Sequence, residues 1–180
     1  LIILVDIDIN NCCVVNININ ILMTVAVRRL GMELDILSDY VGRISFEKIN
    51  RNANGGSGKK QRDIRISFSF GGFDITIYID NRFPFACPYN ICVNNMCYEN
   101  LLKNNVACFK DIMSEYGYPS CFCCVSVTCS DKWGPNIHLK DIVDEIKDVI
   151  DKKQHVMYVY FCRQIACECL TYDVPLELYL

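Results

Sequence analysis

Hydrophobic and polar residues alternate with two different periods along the first half of the chain. Between Val25 and Ser38, leucines recur at helical spacing and the charged residues, including Glu33, fall on other faces, which predicts an amphipathic helix. The next segments alternate with a period of two or form short apolar runs, which is typical of strands. The predicted strands are Gly42–Ile49, Ile64–Phe70, Phe73–Ile79 and Ile91–Met96. Between them, the polar, glycine-rich Arg51–Asp63 predicts a hairpin loop, and Gly71–Gly72 predicts a turn.

The second half of the chain returns to a helical period. Tyr98 to Lys132 shows no clear periodicity, so we expect an irregular segment there. From Ile137 to Lys152, aliphatic residues form one stripe with lysines and aspartates on the other face, which predicts a second helix. The apolar and aromatic Val156–Tyr172 predicts a closing helical segment. A helix, an antiparallel meander and further helices together predict an α+β fold.

The pattern divides the chain into an N-terminal extension and one domain. Residues 1–24 alternate apolar residues with asparagine and aspartate, as in VDIDIN and VNININ, which favours a β-hairpin or an edge strand. No apolar run approaches the ~20 residues of a membrane span. No basic segment precedes a compact apolar run, so a signal peptide is not expected. We therefore expect a single domain over residues 25–180.

Composition narrows the class of protein. The chain of 180 residues is 52% hydrophobic and 11% aromatic, which excludes wholesale disorder and allows a real core. Its formal net charge is −3 and its basic residues are scattered, so neither nucleic acid nor membrane is an expected partner. Its 13 cysteines are odd in number and lack the spacing of a disulfide framework. Mostly free, buried thiols in a cytoplasmic and/or nuclear protein are the simpler expectation.

A series of motifs resembles the catalytic core of ubiquitin-conjugating enzymes, the UBC-like family. FGGF at residues 70–73 is similar to the family's Tyr-x-Gly-Gly-x-Phe turn, and FPFACP at 83–88 is similar to its Tyr-Pro-Phe-x-Pro-Pro. Tyr-Glu-Asn at 98–100 stands where the family has His-Pro-Asn, and Trp-Gly-Pro at 133–135 matches its Trp-x-Pro. The resemblance covers roughly Val25 to Lys152. It implies a UBC-like fold with an N-terminal helix, a four-stranded antiparallel meander, a crossing helix and a C-terminal helical segment.

The resemblance also implies a nucleophile. The family's catalytic cysteine lies a short fixed step after the asparagine of the tripeptide, and that step lands on Cys108. A thiolate is a strong nucleophile and a fair leaving group, so Cys108 would carry a modifier as a thioester. Asn100 would then stabilise the oxyanion that forms when a lysine attacks. Residues of about 114–130 would be an inserted loop beside this site.

A second alignment places the nucleophile elsewhere. Cys124 lies close before Trp133 and approximately keeps the family's spacing between cysteine and tryptophan, but it loses the spacing from Asn100. The unchanged step from Asn100 to Cys108 favours Cys108, and Cys124 stays open as the alternative nucleophile.

Protein partners follow from the same resemblance. They are ubiquitin or a ubiquitin-like protein, the activating enzyme that charges the cysteine, and a ligase. Partner contacts are expected at Arg28, Arg29, Phe85, Gly134 and Pro135. The retained asparagine and cysteine favour a conjugating enzyme. The replaced histidine and proline leave a second hypothesis open, in which the chain is a catalytically inactive variant that binds ubiquitin or scaffolds an assembly.

Two groups of cysteines raise zinc as a rival hypothesis, one within residues 121–129 and one within residues 162–169. Neither group has the two C-x₂-C pairs that are typical of structural zinc, and a tetrahedral site needs four ligands. The sequence contains no P-loop, dinucleotide fingerprint or HExxH motif. We therefore expect no metal and no cofactor.

Overall fold

The computed structural model describes residues 25–51, 61–103 and 107–172 of the 180-residue chain. The predicted N-terminal extension and residues 52–60 of the predicted hairpin loop lie outside the described residues. Within the described part, the fold is α+β, as the sequence predicts. No helix there is both long enough and apolar enough to cross a membrane.

Helix α1 (Val25–Val41) confirms the first predicted helix and extends it by three residues. It ends at Gly42, whose φ of 83° lies in the left-handed region that only glycine adopts without strain. The amide of Gly42 donates to the carbonyl of Ser38, which satisfies one of the last carbonyls of the helix. Leu37 is fully buried, so the predicted apolar face does meet the core.

In the described residues, a five-stranded antiparallel sheet follows, in which each strand pairs with the next along the chain. Its strands are β1 (Ile44–Arg51), β2 (Gln61–Phe70), β3 (Phe73–Ile79), β4 (Asn90–Val93) and β5 (Met96–Cys97). The predicted meander is therefore confirmed, with one correction. The predicted fourth strand, Ile91–Met96, is split by a turn at Asn94 and Asn95, whose φ values of 49° and 64° suit a tight hairpin.

Alternate residues of the strands build the core. Ile66 of β2 lies opposite Ile77 of β3, and Ile77 lies opposite Ile91 of β4. All three side chains are buried, because successive residues of a strand point to opposite faces of the sheet. The turn between β2 and β3 falls at Gly71 and Gly72, as predicted, with φ values of 59° and 85°.

Three further helices complete the described part of the fold: α2 (Tyr98–Leu102), α3 (Ala107–Glu115) and α4 (Leu139–Tyr172). The predicted irregular segment, Tyr98–Lys132, therefore contains two short helices, and the stretch from Tyr116 to His138 has no helix or strand. The predicted crossing helix and closing segment are wrong as separate elements, because they form one helix of 34 residues. No glycine or proline lies between them, so nothing interrupts the backbone hydrogen bonds.

A buried glutamate joins the first and last helices. Glu33 of α1 is 0% exposed, so the expectation that it lies on another face than the leucines is wrong. Its carboxylate accepts a hydrogen bond from the amide of Leu139 at 2.7 Å and contacts His138 Nδ1 at 2.9 Å. Arg29 Nε lies 2.6 Å away; its N–H is not directed at the oxygen, so the contact is an ion pair. The carboxylate thus satisfies an amide at the start of α4, where negative charge is favourable.

Candidate functional site

A cleft of about 230 Å³ lies between the turn that enters β4, helix α2 and the cysteine-rich segment at residues 121–129. Four cysteines line it: Cys87, Cys97, Cys123 and Cys129. The other lining residues come mainly from β4 and α2, including Glu99, and from Lys103 directly after α2. The cleft is therefore lined by cysteine side chains together with one acidic and one basic side chain.

The Phe-Pro turn and the Trp-Gly-Pro motif, which are distant in sequence, meet on one side of this region. Trp133 Nε1 donates a hydrogen bond to the carbonyl of Pro84 at 2.8 Å. The Trp133 ring also packs against the buried Phe83, with ring centroids 6.2 Å apart. The amide of Trp133 donates to the carbonyl of Cys129 at 2.9 Å, so this contact also holds the end of the cysteine-rich segment.

Glu145 of α4 holds both walls of the cleft in place. Its Oε1 accepts hydrogen bonds from Tyr98 Oη and from Ser126 Oγ, each at 2.6 Å. Its Oε2 accepts from the amide of Val127. Tyr98 is only 2% exposed, and burial and Glu145 together raise the pKa of its hydroxyl. One carboxylate therefore fixes α2 and the 126–128 turn relative to the long helix.

The thiol of Cys87 is a poor nucleophile in this setting. Burial raises its pKa to about 12, and the negative charge of Glu145 and the neighbouring Cys129 add to the rise. The thiolate is the reactive form of cysteine, so Cys87 stays protonated and unreactive near neutral pH.

The predicted nucleophile lies outside the cleft. Cys108 is the second residue of α3 and is exposed to solvent. Asn100 is an exposed residue of α2 and borders a different cavity of about 270 Å³, together with Met96 and Lys153. Cys108 does not line that cavity, and no hydrogen bond joins the two side chains in the described residues. The described contacts therefore do not join these two predicted residues into one site.

The alternative nucleophile belongs to a cluster of three cysteines. Cys124 is exposed, and its Sγ lies 3.8 Å from that of Cys123. Cys121 and Cys123 form a disulfide, and the ligand atoms of all three cysteines lie within 4.8 Å of one another. The structure therefore brings together three of the four cysteines that the sequence groups within residues 121–129.

The second predicted cysteine group does not converge in the same way. Cys162 and Cys167 are both exposed on α4. Five positions along an α-helix correspond to a rotation of about 140°, so the two side chains leave the helix on different faces. The side chain of Cys169 lies outside the described residues.

The predicted partner contacts fall into two groups. Phe85 is 69% exposed, and Arg28 and Pro135 are exposed as well, so a partner can reach all three. Gly134 is half-buried, and Arg29 is turned inward. Besides its ion pair with Glu33, Arg29 Nη2 lies 3.4 Å from the carbonyl of Ile137, which assigns this arginine to the contact between helices α1 and α4.

Sequence reasoning missed the two glutamates that organise the fold and the cleft. Glu33 is three residues after Leu30 and four before Leu37, so a charge within the apolar stripe was a usable signal of a buried carboxylate. Glu145 directly precedes Ile146 on the predicted helix and looks like one of its many polar residues. Its hydrogen-bond donors come from segments 19 and 47 residues away, so no local pattern marks it.

Comparison with known proteins adds no relative. No family model matches the chain, no curated protein matches it, and no solved structure matches it. A functional assignment therefore rests on the residues and their geometry.

Proposed function

We propose that this chain is a UBC-like protein that carries ubiquitin or a ubiquitin-like modifier as a cysteine thioester. It would pass the modifier to a ligase or to a substrate lysine. The observation that carries the proposal is the hydrogen bond between Trp133 and Pro84. This hydrogen bond joins two of the motifs that resemble the family, Phe-Pro-Phe and Trp-Gly-Pro, across 49 residues of sequence. The second motif lies just before α4. The order of helix, antiparallel meander and long helix is also the order that the resemblance implies.

Cys108 is the favoured carrier of the thioester. An activating enzyme must present its own thioester to the acceptor, so the accepting thiol has to be reachable, and Cys108 is exposed. In the transfer, the Cys108 thiolate attacks the modifier's terminal carbonyl, and the activating enzyme's cysteine leaves as a thiolate. In the second step a lysine amine attacks, and the Cys108 thiolate leaves with the lysine proton transferred to solvent or a carboxylate. Cys124 is exposed as well and remains the alternative carrier.

Asn100 would act in the second step. An amide donor stabilises the oxyanion that forms as the lysine attacks the thioester. Asn100 and Cys108 share neither a hydrogen bond nor a cavity among the described residues, so the bound thioester would have to lie between the two side chains. Of the other residues the resemblance singles out, Arg28, Phe85 and Pro135 would form the surface for the activating enzyme and the ligase, since all three are exposed.

One observation favours the non-catalytic hypothesis. Tyr98, which stands where the family has histidine, is 2% exposed and donates to Glu145. Tyr98 of the tripeptide therefore serves to anchor α2, and Asn100 borders a cavity that Cys108 does not line. A protein with this arrangement would bind a modifier or a conjugating enzyme without forming a thioester.

A charging assay distinguishes these proposals. The purified chain is incubated with activating enzyme, ATP and one of several modifiers, and thioesters are detected as bands that disappear under reducing conditions. We expect Cys108→Ser to give an oxyester that resists reduction or no adduct. Cys124→Ser should charge normally, and so should Cys162→Ser, which removes another exposed thiol as a matched control. The reverse result for Cys108 and Cys124 would assign the thioester to Cys124.

The same assay tests Asn100 and the rival hypothesis. Asn100→Ala should leave charging intact and slow discharge to free lysine by about 10²-fold, the typical loss for one oxyanion donor. If the unaltered chain accepts no modifier, the enzyme proposal fails. Binding of the modifier, measured by titration calorimetry, would then support the non-catalytic protein, and absence of binding would reject both.

A further inference from the structure

The three clustered cysteines occupy a short, well-anchored stretch of chain. Phe122, between Cys121 and Cys123, is buried in the core, and its carbonyl accepts a hydrogen bond from the amide of Val125. Immediately after the cluster, Ser126 is buried and donates to Glu145. Both ends of the stretch are thus tied to the core, and the positions of the sulfurs follow from the fold rather than from a free loop.

The spacing of these sulfurs suits a metal ion with thiolate ligands. In a tetrahedral zinc site, bonds of about 2.3 Å from zinc to sulfur place the sulfurs roughly 3.8 Å apart. The Cys123 and Cys124 sulfurs already have this separation, at 3.8 Å. Cys121 lies in the same group within 4.8 Å but is bonded to Cys123, so its sulfur reaches this spacing only after reduction. Soft thiolate donors select zinc and copper(I) over magnesium or calcium.

We propose that the reduced cysteine-rich segment binds one Zn²⁺ through Cys121, Cys123 and Cys124, with a fourth position open to solvent. Three protein ligands and an open position are the arrangement found in reactive rather than purely structural zinc sites. Cys123 also lines the cleft, so an ion bound to its sulfur would lie next to the cleft. Cys129 lines the cleft but lies outside the group of three, which makes it the natural control.

The oxidation state of the segment controls this site. In the structure Cys121 and Cys123 form a disulfide, and a disulfide has no thiolate to offer the metal. A thiol or phosphine reductant supplies two electrons, two protons come from water, and the sulfur–sulfur bond becomes two thiols. Zinc then binds three thiolates and releases their three protons, so binding weakens as the pH falls. The proposal is independent of the thioester chemistry, except that a Cys124 bound to zinc is no longer free to act as a nucleophile.

Metal titration of the full chain tests the proposal. After reduction with a phosphine and its removal, the chain is titrated with Zn²⁺ against a chromogenic chelator, and with Co²⁺ as a spectroscopic substitute. We expect one equivalent of metal, thiolate-to-cobalt charge transfer in the near ultraviolet, and the visible bands of a four-coordinate ion. Zinc should also protect Cys124 from alkylation, as measured by mass spectrometry. A sample left oxidised should bind no metal.

Cysteine variants assign the ligands. Cys124→Ser changes an exposed residue and should weaken zinc binding by more than about 100-fold, beyond the 10–100-fold typical of outer-shell changes. Cys129→Ser and Cys108→Ser should bind zinc like the unaltered chain. An unchanged affinity in Cys124→Ser, or an equal loss in Cys129→Ser, would overturn the assignment. So would a reduced chain that binds copper(I) but neither zinc nor cobalt. The cobalt spectrum of the unaltered chain decides the matter even if a variant fails to fold.

Discussion

Replacement of Glu145 by glutamine should destabilise the protein and loosen both walls of the cleft. The carboxylate accepts three hydrogen bonds, from Tyr98 Oη, Ser126 Oγ and the amide of Val127. An amide has one oxygen and one NH₂ group, so at least one of these donors would face another donor. Tyr98 and Ser126 are both buried and have little access to water as a substitute partner.

The expected loss follows from these contacts. A hydrogen bond to a charged group contributes about 1.5–3 kcal/mol, and a buried donor left without a partner costs a similar amount. We expect Glu145→Gln to lower the free energy of unfolding by about 2–3 kcal/mol. At about 2–4 °C per kcal/mol for a chain of this size, the Tm should fall by roughly 4–12 °C.

Asp148→Asn is the matched control, because it also removes one negative charge from α4, about one helical turn after Glu145. Asp148 contacts Lys152 at 2.6 Å in an exposed ion pair, and such pairs contribute at most about 1 kcal/mol. Thermal unfolding followed by circular dichroism compares the two variants. If the Glu145→Gln and Asp148→Asn proteins have the same Tm, the proposed role of Glu145 is refuted. A second readout is the alkylation of Cys87, which should become faster because part of its raised pKa comes from Glu145.

Two further predictions concern the same region. Trp133→Phe keeps an aromatic ring against Phe83 but removes the hydrogen-bond donor to the Pro84 carbonyl. We expect the free energy of unfolding, measured by urea denaturation, to fall by about 1–2 kcal/mol. An unchanged urea midpoint would argue against this contact. The pKa of the Cys87 thiol is raised from its ordinary value of 9.0 to about 12 in the folded protein. Between these two pH values the thiol ionises only in the unfolded chain, so the free energy of unfolding should fall as the pH rises from 9.0 towards about 12. Cys87→Ala should lack this part of the pH dependence, and identical profiles for both proteins would contradict the burial of the thiol.

Local patterns in the sequence were sufficient to predict most of the secondary structure. The leucine spacing of α1, the two-residue period of β2 and β3, and the pair of glycines at 71–72 each depend on a few neighbouring residues. Backbone geometry converts such spacings directly into one apolar face or one turn. The continuity of α4 was missed because two apolar segments separated by polar residues look like two helices, while the backbone needs only the absence of a breaker.

The candidate site depended on tertiary structure. Glu33 reaches an amide 106 residues away, and Glu145 receives donors from two segments that carry no periodic signal. Among 13 cysteines, the resemblance to a known family suggested Cys108 and left the 121–129 group unresolved. Packing placed three of those sulfurs together and put the half-buried thiol of Cys87 in the cleft. The sequence by itself determined which faces are apolar and where the chain turns, because these depend on neighbouring residues. Which polar groups and thiols meet was decided only when distant elements packed, because a carboxylate or a thiol acquires its chemistry from the groups around it.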